Sequence, residues 1–288
     1  MFRSLQSLDY DGTFVYYHDG KLEAMRILHQ ASAGGEKERL MSLTGSAREV
    51  LRDDKVVTCI MPDNKSVMVG QSRPRQPFPV VPEDLESLSP CYTLQDAGED
   101  RIAGLMARVI DIKPCDEYRY GYRFWIDTKN YMLLKYELSG VDGKAIEQVM
   151  FTGLRVGERI PAAALEPSLT GEGYNWYRQE GGGENPAISA GQPEWTVKQL
   201  PAGFRMTNYQ RKRVRQGGEH AEHMVFSDGL ATVSVYVEKL VPDSKVFTGL
   251  SSMGAMNAFG TVRDDHQITV VGEVPAATVQ NMALLVSR

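Results

Sequence analysis

Glu219-His-Ala-Glu-His223 packs two imidazoles and two carboxylates into five residues, the donor types that hold a divalent metal. Spacing decides what they can do. Residues three apart share a face on a helix, but His220 to Phe226 reads as a strand, where an odd spacing sends His220 and His223 to opposite faces. Rim or surface histidines are expected, and no metal. Gly249-Leu-Ser-Ser-Met-Gly254 imitates the glycine-flanked serine of a hydrolase, but it is one residue too long and lies outside any strand-turn-helix unit. Gly181-Gly-Gly183 lacks the Lys-Ser/Thr that a phosphate loop needs. The remaining histidines, at 18, 29 and 266, complete no acid–base or nucleophile set, so neither an enzyme nor a cofactor is expected.

Two groups of residues carry binding chemistry instead. In Arg211-Lys-Arg-Val-Arg215, a strand projects Arg211, Arg213 and Arg215 from one face, where guanidinium groups pair with carboxylates or phosphates. Lipid head groups or an acidic protein segment would suit them, and a solvated edge strand kept apart by its charge uses the same residues. Phe14, Tyr16, Met25, Ile27, Met132, Leu134 and Tyr136 are the second group. They would line a cavity for acyl chains, with methionine supplying adaptable contacts, or else fill an ordinary core. Strand parity does not say which face would be the cavity.

The elements that position these groups are mostly strands. Tyr10 to His18 is rich in aromatic and β-branched residues and is closed by Asp19-Gly20, a two-residue hairpin signal. Strands over 21–30, 37–43, 47–52, 55–61 and 65–69 continue the meander. A proline-dense connection over 73–82 and a short helix through Leu88 interrupt it. Strands over 92–97, 102–112, 118–126, 131–138 and 145–155 complete one large antiparallel sheet, with turns expected at Gly98 to Arg101, Asp127 to Asn130 and Asp142-Gly143. Apolar residues stand on both parities of several strands, so both faces of the sheet must be partly covered. From 161 to 193 the apolar period stops, and this glycine-rich stretch reads as a linker whose aromatic island Tyr174, Trp176 and Tyr177 docks on a neighbour. Residues 194–288 then form a small domain of strands over 205–215, 220–226, 231–239, 258–263 and 267–272. A glycine loop spans 246–256. A closing helix after Pro275 presents Val279, Met282, Ala283 and Val286.

Composition bounds the rest. At 288 residues the chain can bury two cores, 42% hydrophobic and 24% charged residues describe an ordinary globular protein, and a net charge of −5 lacks the basic footprint of a nucleic-acid binder. No apolar run is long enough to span a bilayer. Three cysteines, Cys59, Cys91 and Cys115, leave one over after any pairing. Cys91 and Cys115 flank an expected hairpin, and a disulfide or two buried thiols are both open to them.

Gly12-Thr-Phe-Val-Tyr16, His29, Glu38-Arg-Leu40, Leu43, Gly45, Arg48-Glu-Val50 and Arg52 form an ordered set. Together with Arg119-Tyr-Gly121, Asp127, Ser227-Asp-Gly-Leu-Ala231 and Thr269-Val-Val-Gly-Glu-Val-Pro275, they resemble the RseB/MucB family, periplasmic regulators of the envelope-stress sigma factor. The resemblance covers nearly the whole chain. It implies an α+β, mostly β fold: residues 1–160 as a strongly curved, open antiparallel barrel with helices, similar to the lipoprotein carriers, and 194–288 as a smaller α+β domain that binds an anti-sigma factor. It implies a periplasmic protein whose leader is absent from this sequence. The implied partners are the periplasmic domain of an RseA/MucA-like anti-sigma factor and lipopolysaccharide or another acyl-chain ligand, with a homodimer left open. Binding would shield the anti-sigma factor from site-one proteolysis, and lipid would release it. A lipid or lipoprotein carrier is the alternative on the same fold.

Overall fold

The computed structural model describes residues 2–32, 35–71, 88, 91–169, 171–178, 192–213, 220–241 and 245–288. The proline-dense stretch, most of the helix expected before Leu88, Gly181-Gly-Gly183, Arg215 and Glu219 lie outside them.

Twelve strands make one sheet: β1 (Tyr10–His18), β2 (Lys21–Ser32), β3 (Gly35–Ser42), β4 (Glu49–Asp53), β5 (Val56–Met61), β6 (Ser66–Gln71), β7 (Tyr92–Ile102), β8 (Leu105–Pro114), β9 (Gly121–Asp127), β10 (Leu133–Ser139), β11 (Ala145–Val156) and β12 (Asn175–Arg178). Their order is β12-β6-β5-β4-β3-β2-β1-β11-β10-β9-β8-β7, so two meanders meet where β1 pairs with β11. Among the described residues, only β12, beside β6, runs parallel to its neighbour. The sheet is strongly curled, since β7 comes back against β11 from four strands away.

Local chemistry explains most of the turns. Asp19 and Gly20 both take positive φ (48° and 71°), the conformation that matches a tight hairpin to strand twist. The hairpin expected at Gly98 to Arg101 is a correction. β7 runs through it with a bulge between Asp96 and Glu99, and the chain reverses at Ala103-Gly104. Gly98 gives the bulge its φ of 90°, while Asp96 accepts a hydrogen bond from the Gly98 amide at 2.9 Å.

One face of the sheet packs a core of Tyr10, Phe14, Phe124, Tyr136, Phe151 and their neighbours, closed by Leu5 of the N-terminal helix α1 (Phe2–Ser7). The other face is partly covered by residues 160–168. Ile160, Ala164 and Leu165 pack on Leu28 and Met41, Arg39 donates to the Ala164 carbonyl at 2.9 Å, and Ser168 bonds Glu49. This strap covers the apolar residues that β2 and β3 present on that second face, Leu28 and Met41. The stretch expected as a linker is thus partly built into the first sheet, through the strap and through β12, where Trp176 and Tyr177 stay largely exposed.

The second sheet has the order β14-β15-β16-β19-β18-β17, from β14 (Arg205–Arg213), β15 (His220–Ser227), β16 (Thr232–Lys239), β17 (Gly249–Met253), β18 (Met256–Arg263) and β19 (His266–Gly272). The expected loop over 246–256 is therefore corrected to an edge strand and its turn. The segment pairs with β18 and needs no apolar alternation, because much of it faces water. Helix α2 (Ala276–Leu284) buries Val279, Met282 and Ala283 against the sheet. Val286 is not on that helix: it lies in β20 (Val286–Ser287), paired with β13 (Thr196–Val197).

Candidate functional site

Phe14, Tyr16, Met25 and Ile27 fall on one face of β1 and β2, and Tyr16 aligns with Val149, which aligns with Tyr136. Met132 and Leu134 join the same cluster. All seven residues therefore converge, and all but Tyr16 are buried in the packed first core. Two residues of the second domain, Ala255 and Leu230, complete that core. The two domains thus share one apolar core at this end of the sheet.

The register continues this face into a polar row. Tyr10 pairs with His29, His29 with Glu38 and Glu38 with Arg52, across β1 to β4, and all four are buried. His29 stacks on Tyr10 with ring centroids 4.9 Å apart, and its Nδ1 lies 2.9 Å from the Leu8 carbonyl. Burial raises the Glu38 carboxyl above the usual carboxylate range, with Arg52 opposing the shift.

The junction between the domains is built on Arg119, whose side chain is fully buried. Its Nε and Nη2 donate to the two Asp116 oxygens at 2.9 and 3.0 Å, Nη2 also donates to the Ala202 carbonyl at 2.6 Å, and Nη1 donates to Asp228 at 2.9 Å. Asp228 is equally buried and works with both oxygens. Oδ1 accepts the Leu230 and Ala231 amides and so shapes the turn after β15, while Oδ2 accepts Arg119 and the Tyr92 hydroxyl. Tyr92 and Phe204 flank the guanidinium at 5.3 and 5.4 Å. Nearby, Tyr120 donates to the Ala255 carbonyl, Asn257 donates to Tyr120, and Thr278 donates to the Tyr118 carbonyl at 2.7 Å. These residues were not singled out as a site from the sequence. The signal was their place in two short motifs, Arg119-Tyr-Gly121 and Ser227 to Ala231, which meet here.

Of the three arginines expected to share a face, Arg211 lines a pocket of about 240 Å³ with Trp195, Glu222, Lys239, His266 and Arg288. Its Nη2 is paired with Glu194 at 2.8 Å. Arg213 lies two residues on in β14, opposite His220, and Arg215 lies outside the described residues. β14 is an edge strand. His223 stacks on Tyr236 at 4.3 Å and contacts Ser234. Among the described residues, the one convergent set of metal-type donors is Cys91, Cys115 and Asp116, within 4.8 Å of one another. Asp116 is already committed to Arg119. Among those residues, no helix is long and apolar enough to cross a membrane.

Comparison with known proteins places this architecture. The chain is 31% identical over 286 residues to the sigma factor AlgU regulatory protein MucB of Pseudomonas aeruginosa, covering 96% of this chain and 84% of that one. The structure of the Pseudomonas aeruginosa MucA/MucB complex aligns with a TM-score of 0.73 at 26% identity, covering 99% of this chain and 95% of that chain. MucB alone aligns with a TM-score of 0.60 at 27% identity, covering 99% and 94%. Residues 1–169 match the MucB/RseB N-terminal domain and residues 189–287 the MucB/RseB C-terminal domain, and the chain therefore belongs to the MucB/RseB family.

Proposed function

We propose that the chain is a periplasmic regulator of an envelope-stress sigma factor. It binds the periplasmic domain of a membrane anti-sigma factor, shields it from site-one proteolysis, and lets go when lipopolysaccharide or another acyl-chain ligand binds. The observation that carries the reading is the match over both domains, 99% of this chain, to MucB in its complex with MucA, with a TM-score of 0.73. No covalent chemistry is needed.

The way the cores share residues supplies a mechanism. An acyl chain entering beside Phe14, Tyr16, Met25, Ile27, Met132, Leu134 and Tyr136 would open the packed core to which the second domain contributes Leu230 and Ala255. Moving them shifts the second domain, which alters the surface offered to the partner. Lipid and anti-sigma factor are then linked through their different affinities for two domain arrangements. Arg211, with Arg213 and Arg215 beyond it, is the proposed anion-reading edge. An incoming carboxylate would take the place of Glu194 on Arg211.

The test is a titration of the purified protein against the periplasmic segment of its host's anti-sigma factor, with and without lipopolysaccharide. Lipid should raise Kd by about 5- to 150-fold, the usual range of allosteric coupling. Sizing the same sample by light scattering reports whether a homodimer forms. If the segment fails to bind while acylated cargo does, the protein is a carrier on this fold and the regulator reading is wrong.

A further inference from the structure

Cys91 and Cys115 are direct cross-strand neighbours. β7 and β8 pair Tyr92 with Pro114, and one step further the Cys115 amide donates to the Cys91 carbonyl at 2.9 Å. Facing residues of such a pair have Cα atoms about 5.5 Å apart, which is also the commonest separation across a disulfide. The two sulfurs lie no more than 4.8 Å apart, and both residues are thiols in the structure. Small side-chain rotations would bring them to bonding distance. A metal is the poorer occupant, because the third donor, Asp116, gives both oxygens to Arg119.

The two thiols differ in access. Cys91 is buried, whereas Cys115 is exposed and lines an open groove of about 560 Å³ with Lys113, Glu117, Tyr122, Arg123 and Gly140. Their chain neighbours matter more. Tyr92 follows Cys91 and bonds Asp228, while Asp116 follows Cys115 and holds Arg119. Tyr92 thus reaches the second domain directly and Asp116 through Arg119, so each cysteine stands next to a residue of the junction.

We propose that Cys91 and Cys115 form an intrachain disulfide by exchange with a disulfide-bearing oxidoreductase, and that the bond braces the junction between the domains. The Cys115 thiolate attacks one donor sulfur, forming a mixed disulfide and expelling the other donor sulfur as a thiolate. Cys91, once deprotonated, attacks the Cys115 sulfur and expels the second donor sulfur. Two electrons and two protons pass from the pair to the donor, which leaves as a dithiol. Desolvation, a hydrogen bond with Cys91 and the Asp116 charge push the Cys115 thiol up to about 11. The closed loop of about 25 residues confines the end of the hairpin that carries Tyr92 and Asp116. Cys59, in β5 on the far side of the sheet, serves as an internal control.

The test uses the full chain, equilibrated in oxidised or reduced glutathione, alkylated and mapped without reduction. The expected result is a peptide linking Cys91 to Cys115 with Cys59 alkylated, and cleavage between the domains by a trace protease slowed by roughly tenfold relative to the reduced protein. Cys115→Ser should behave like the reduced protein in both buffers. The proposal fails if Cys91 and Cys115 both remain alkylatable after oxidation, or if the bond found involves Cys59 or a second molecule. A bond that forms without slowing cleavage overturns the brace. None of these outcomes depends on anti-sigma binding, so this proposal and the regulator reading can fail separately.

Discussion

Arg119→Met and Asp228→Asn probe the junction most directly. Arg119→Met keeps the aliphatic stem between Tyr92 and Phe204 but leaves Asp228 charged, with a side chain that is 0% exposed and only the Tyr92 hydroxyl and two amides as donors. Breaking a buried pair in this way costs about 3–5 kcal/mol. Asp228→Asn is milder, about 1–3 kcal/mol, because Asp116 still neutralises Arg119. The double variant should cost about 1–3 kcal/mol less than the sum, since the two changes remove one shared interaction. Denaturant unfolding read by tryptophan fluorescence measures this, with Trp125 in the first core and Trp195 in the second. The two tryptophans should lose a common midpoint once the junction is broken, because the domains then unfold independently. Additive penalties, or a loss below about 1 kcal/mol in Arg119→Met, would refute the claim that this pair couples the domains.

Two further outcomes follow from the first sheet. Hydrogen bonds from Arg26, with Arg155 adding to them, hold the Asp11 carboxyl below its ordinary value of 3.8. Its stabilisation is therefore present above that pH and lost as pH falls through the lower folded value. Asp11→Asn should cost up to about 1 kcal/mol at pH 7, a figure discounted because both arginines are well exposed, and the gap to wild type should close in acid. A gap that persists at pH below the folded pKa would count against the assignment. At Gly12, an added Cβ would overlap the Phe151 ring, which packs edge-on against Phe14. Gly12→Ala should therefore lower stability by about 1–3 kcal/mol, and thermal melting that is unchanged would show that the ring moves freely.

What the chain reveals by itself is what depends on near neighbours. Aromatic and β-branched runs bounded by turn residues such as Asp19-Gly20 mark most strands to within a few positions, and the ordered motifs mark the family. The turn at Ala103-Gly104 escaped because Gly98, five residues earlier, carries the stronger local signal and is spent on a bulge. The use of each face was also hidden, since the face packed against α1 and the face packed against the 160–168 strap present similar residues. Arg119 and Asp228 show the limit most clearly. Arg119 reads as the second residue of a strand over 118–126 and as part of a short motif, yet folding carries its guanidinium to a carboxylate 109 residues away and buries both. Turn chemistry and strand period act over a few residues, so they can be read along the chain. Burial of a charge is decided by what two sheets bring together, and only the tertiary structure contains that.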